Sequence, residues 1–140
     1  MDWKRRRRCG PSTTEAWLGA WVGGAAIGGA NGAARELTYG RGLPEPVANG
    51  VSVLTGTSAF MAYFAFMQRL RPLGSRPQAL AIGGTWVALT VCFEFGLGRA
   101  QGKGWSEMIA EYDVRRGRLW PLVLLTVAVG PEIARQRAGR

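Results

Sequence analysis

Four long apolar stretches alternate with short charged blocks along the chain. Ala16 to Ala34 holds no charge, and neither does Val47 to Met67. The third stretch runs from Ala79 to about Gly98 with Glu94 as its one charge. The fourth and shortest, Leu119 to Ile133, is bordered by Arg118 and Glu132. A helix needs roughly 20 apolar residues to cross about 30 Å of hydrocarbon. The pattern therefore predicts an all-α integral membrane fold with four transmembrane helices, over about 15–35, 47–68, 79–98 and 119–134. Together they make one domain, 14–134, between a basic tail at 1–13 and another at 135–140.

The punctuation agrees with these limits. Pro11 and the run Ser12 to Thr14 form a helix start. Gly40, Gly42, Pro44 and Pro46 make one turn, and Pro72, Gly74 and Pro77 make another. Pro121 falls in the first turn of the fourth helix, where proline is tolerated. Between the third and fourth stretches, Trp105, Met108, Ile109 and Tyr112 recur at helical spacing. That spacing predicts a short amphipathic helix over about 106–116, lying in the membrane interface, capped by Ser106 and ended by Gly117.

Charge changes the picture in one respect. The net charge of +9 over 140 residues would suit a nucleic-acid binder. Here each basic block flanks an apolar stretch, which is how topology signals are placed. Lipid, rather than nucleic acid, is the expected partner. Of the 18 Lys and Arg residues, eleven fall on the side of both termini and seven on the other, so both termini are expected in the cytoplasm. The composition, rich in Ala, Gly and Arg, suggests a bacterial inner membrane. Lys4 to Arg8 ahead of an apolar stretch also fits a signal peptide, but the stretch is long and glycine-rich, so cleavage is not the expectation.

The chain has no histidine and two cysteines, Cys9 and Cys92, expected at different depths. No disulfide, metal site or cofactor is expected, and histidine-based catalysis is excluded. Gly28-Gly29-x-x-Gly32 is not a phosphate loop, because no strand precedes it. Trp3, Trp105, Trp120, Tyr39 and Tyr112 fall near expected interfaces and read as anchors.

Two groups of residues stand out. Ala16, Ala20, Gly24, Gly28 and Gly32 recur every fourth position, offset by Gly19 and Gly23. Such a stripe lets another helix approach closely, within the chain, in a homo-oligomer or in a partner protein. Glu94 is a carboxylate inside an apolar helix, a costly placement unless it is paired, protonated or facing water. With the N-terminus inside, Asn31, Arg35, Glu36, Glu94, Tyr112 and Arg118 fall at similar depth. They are expected to form one polar cluster, either a salt-bridge network or a binding carboxylate tuned by arginines.

Asn31-Gly32-Ala33-Ala34-Arg35-Glu36, then Gly84-Thr85-Trp86 through Phe93-Glu94-Phe95-Gly96-Leu97-Gly98, then Gly102-x-x-Trp105, Tyr112 and Gly117-Arg118-Leu119-Trp120 carry a resemblance. The chain from Gly28 to Pro131 resembles a family of small uncharacterised bacterial four-helix integral membrane proteins. The resemblance implies a compact four-helix membrane protein and brings no activity or cofactor with it. The function expected is that of a non-enzymatic subunit, scaffold or assembly factor. The alternative is a small oligomeric transporter or channel that uses Glu94 as an intramembrane proton- or ligand-binding carboxylate.

Overall fold

The structure, a computed structural model, describes residues 11–140. The basic run Lys4 to Arg8, with Trp3 and Cys9, lies outside the described residues. The fold is all-α: the described residues form α1 (Thr13–Gly19), α2 (Trp21–Leu37), α3 (Glu45–Leu70), α4 (Arg76–Ala100), α5 (Trp105–Ala110) and α6 (Trp120–Ala138). Short 3-10 turns lie at Tyr39–Arg41 and Val114–Arg116.

The helix starts follow local chemistry. Ser12 accepts from the Glu15 N–H while the Glu15 carboxylate accepts from the Ser12 N–H, a reciprocal cap on α1. Ser75 caps α4 through the Gln78 N–H at 3.3 Å. Pro46, Pro77 and Pro121 each sit in a first turn, where a missing N–H costs nothing.

The first apolar stretch is two helices rather than one. The break falls at Ala20, directly after Gly19, a poor helix former. The Tyr63 hydroxyl donates to the Ala20 carbonyl at 2.9 Å, so the irregular turn is held from α3. At the other end of the chain, α6 continues through the expected tail to Ala138. Glu132 carries it there, accepting from Arg135 at 2.7 and 2.8 Å and from Gln136 at 2.8 Å. These are pairings at helical spacing that stabilise a last turn.

By length and composition, two helices can cross a membrane, α3 and α4, where four were expected. The first stretch is shortened by its break, and α6 carries Glu132, Arg135 and Arg137 within its 19 residues. Only 22 % and 17 % of the most apolar windows of α3 and α4 lie buried. Their apolar side chains mostly point outward, as Leu54, Phe66, Leu80, Leu89 and Phe93 do. A soluble core helix has the opposite pattern.

In the bundle, α6 lies between α3 and α4, α1 packs on α4, and α2 runs along α3. The α4–α6 seam is closed by Gly83, where an added Cβ would collide with the backbone carbonyl of Ala128. Gly130 makes room for the Phe64 ring in the same way. The core is aromatic at its centre. Phe64 packs edge-on to Trp86 at 5.3 Å and stacks on Trp17 at 6.1 Å. Both indoles are satisfied: Trp17 donates to the Arg71 carbonyl at 2.8 Å and Trp86 to the Trp17 carbonyl at 2.9 Å. Near its start, α2 meets α4 through Trp21, which donates to Thr90 at 3.1 Å and packs edge-on against Phe93. Gly24 still packs under Trp86; beyond it α2 follows α3, and cavities open between α2 and α4.

Candidate functional site

The cavities lie toward the C-terminal end of α4, and Glu94 faces them. Its Oε2 accepts from the Tyr112 hydroxyl at 2.5 Å and from the Trp120 indole at 3.0 Å. Both donors are neutral, and both come from the segment linking α5 to α6 or from its end. The second carboxylate oxygen, Oε1, accepts no hydrogen bond from the described residues. Nor is it sealed in: among the described residues, Tyr39 alone has a fully enclosed side-chain polar atom without a partner. Glu94 lines two cavities, so this free oxygen is available to them.

An aromatic stack holds the donors in place. Phe95 stacks on Tyr112 at 5.7 Å and on Trp105 at 5.9 Å. The Arg99 guanidinium sits 5.2 Å from the Trp105 ring centre. Met108 on α5 packs where Gly98 leaves space on α4. Burial, followed by the hydrogen bond to Glu94, pushes the Tyr112 phenol up from its ordinary value. Tyr112 is thereby kept a donor over the whole physiological range.

The larger cavity, about 380 Å³, is the polar one, with Arg35, Lys103, Glu107 and Glu111 around Glu94. The smaller, about 230 Å³, lies deeper in the bundle and has Glu94 as its one charged wall residue among the described residues. Gly28, Glu94, Leu97 and Trp120 border both, so the two chambers meet at the carboxylate. Each falls within or near the range of about 300–1,000 Å³ typical of small-molecule sites.

The six residues expected in one cluster separate into several groups. Glu94 and Tyr112 are bonded, and Arg35 shares the wall of the larger cavity with them. Arg118 turns away to Glu45 at 3.4 Å and Glu111 at 3.6 Å, half-exposed pairs of small energetic weight. Asn31 faces α3, donating to the Ser52 carbonyl at 2.9 Å and accepting from Thr55 at 2.7 Å. Glu36 is exposed. Among the described residues no arginine pairs with Glu94.

The helix expected over 106–116 is shorter than its apolar spacing suggests. α5 ends at Ala110, Gly104 rather than Ser106 occupies its N-cap, and Tyr112 lies beyond its end. Met108 turns inward while Trp105 and Ile109 are exposed. Gly117 closes the following turn at φ 79°, a left-handed conformation that favours glycine.

The small-residue stripe serves two purposes. Gly24, and the offset Gly23, lie directly under Trp86 and Tyr63, and the Ala20 carbonyl takes the Tyr63 hydroxyl. Ala16 sits half-buried on α1. Further along, Gly28 and Gly32 border the larger cavity, and an added Cβ at Gly32 would touch nothing. The stripe makes a close helix contact at one end and the wall of a chamber at the other.

Sequence reading did not find Trp120 as a partner of Glu94. The available signal was chemical: a carboxylate at that depth needs donors, and an indole N–H at the head of the next helix is one. No family model, curated protein or solved structure matches the chain.

Proposed function

We propose that the chain is a four-span membrane protein that binds a ligand or proton at Glu94, the site of a small transporter or membrane receptor. The first apolar stretch and α6 join α3 and α4 as spans, with α6 shielded between α3 and α4. A fourth span this short is accommodated by local thinning of the bilayer. The exposed apolar faces of α3 and α4 support the membrane reading, because monomeric soluble proteins rarely carry such extended apolar surface. The bacterial inner membrane, the cytoplasmic termini and membership of the four-helix family belong to the same proposal.

One observation carries the functional part. Among the described residues Glu94 has no cationic partner; one of its oxygens is fixed by two donors, the other accepts no hydrogen bond, and the residue lines a cavity. A carboxylate kept only for architecture would be paired with an arginine, and Arg118 is spent elsewhere. Half-buried carboxylates in clefts of a membrane protein are where binding and proton chemistry concentrate.

The test is Glu94→Gln, reconstituted in liposomes beside the parent chain. Glutamine retains an oxygen for Tyr112 and Trp120, so the folded protein is expected to persist. Any proton-linked or solute-linked signal is expected to vanish. A folded Glu94→Gln protein whose signal is unchanged would remove Glu94 from the site and return the subunit or scaffold reading to first place.

A further inference from the structure

We infer that the Glu94 site takes a lipophilic organic cation, with its ammonium at Oε1 of Glu94 and its apolar body in the deeper chamber. The inference rests on the proposed binding role of Glu94 and adds the class of ligand.

The deeper chamber decides the class. Five aromatic side chains border it: Trp21, Phe60, Trp86, Phe93 and Trp120. The indole N–H groups of Trp21, Trp86 and Trp120 are all engaged, with Thr90, the Trp17 carbonyl and Glu94. These rings therefore have no free donor to offer, and what they present is apolar or π surface. A cation within about 6 Å of such a ring is attracted by its quadrupole. Among the described residues Glu94 is the one charged residue on that wall, and it is negative. Its bonded oxygen is fixed, so the free one can serve a guest without disturbing the fold.

The other ligand classes fit less well. An anion would meet Glu94 at the junction of the chambers with no cation beside it in the deeper one. A purely apolar guest would leave the carboxylate oxygen desolvated and unpaired. A hydrated inorganic cation would gain nothing from the aromatic wall. The entrance is compatible with the proposal: Glu107 and Glu94 face Arg35 and Lys103 around the outer cavity, and Glu111 is paired with Arg118, so no excess of positive charge bars a cation.

Gly28 provides a gate that mutation can close. It borders both chambers, and an added Cβ would have Phe60 as its nearest neighbour at 3.9 Å. There is room for a larger side chain, which would then occupy the passage.

The experiment is calorimetric titration of the full chain in nanodiscs with benzyltrimethylammonium, with benzyl alcohol as the neutral probe and benzenesulfonate as the anionic one. Saturable binding of the cation alone is expected. It should weaken about tenfold or more in Glu94→Gln, the scale of one lost charge-assisted contact, and be blocked in Gly28→Leu. Equal binding of cation and neutral probe, unchanged by Glu94→Gln, would overturn the ligand class. If Glu94→Gln does not fold, Gly28→Leu decides: cation binding undiminished in that variant also overturns the inference. A Glu94-dependent proton signal in liposomes with no cation binding would sink the inference and leave the proposed function standing. Absence of both signals would remove the two together.

Discussion

Glu94 carries both of its hydrogen bonds on one oxygen, and that asymmetry shapes what can be tested at the residue scale. Tyr112→Phe removes one donor and leaves Trp120 in place. The expected result is a folded protein, weakened by about 1 kcal/mol, with the carboxylate less well aimed. Thermal unfolding in detergent measures the first effect, and probe titration the second. The pH dependence of this bond has a definite sign. The Tyr112 phenol is raised above its ordinary value of 10.0, so its contribution is complete below pH 10.0 and is lost as pH climbs through the higher folded value. Parent and Tyr112→Phe stabilities should therefore converge in strong alkali. A constant difference between them at every pH would show that the phenol does not titrate with folding. At this scale the sequence told part of the story. A lone carboxylate in an apolar helix identified Glu94, but its partners depend on how α6 enters the bundle, which spacing along the chain does not encode.

At the scale of the element, the helices were legible wherever the signal was local. The start at Ser12, Pro121 in a first turn and the left-handed Gly117 all act within a few residues, and they mark ends that the structure shows, whereas Ser106 does not cap its helix. The break at Ala20 was not legible, because its stabilising group, the Tyr63 hydroxyl, arrives from another helix. α5 was overestimated for a related reason. Trp105, Met108, Ile109 and Tyr112 do share a helical spacing, yet Tyr112 is drawn out of register by Glu94 and Phe95. The α4–α6 seam gives a sharp element-level prediction. Gly83→Ala forces a methyl group into the Ala128 carbonyl and should cost about 1–3 kcal/mol as overpacking. Gly84→Ala, one residue on, meets nothing within 4 Å and should be neutral. Thermal unfolding of the two variants side by side checks this. Equal stability would mean that the seam is looser than its geometry.

For the whole molecule, the alternation of apolar stretches and basic blocks announced an all-helical chain, and the expectation of four spans exceeded the two helices that meet the length and composition test. Hydropathy averages over a helix and does not register a break or a charged last turn. The proposed orientation has its own check. In a chain with both native cysteines replaced by serine, Ser106→Cys should react with a membrane-impermeant thiol reagent in intact cells. Ala138→Cys should react only after the cells are opened. The reverse pattern would invert the topology, and labelling of both in intact cells would remove α6 as a span.

The closed seam at Gly83 and Ala128 has a mechanical consequence. Two helices joined backbone to backbone resist sliding, since any shift drives an amide into its neighbour. The pair α4 and α6 then acts as the fixed post of the bundle. Glu94 stands on that post, so the carboxylate and the chambers' α4 wall share its rigidity.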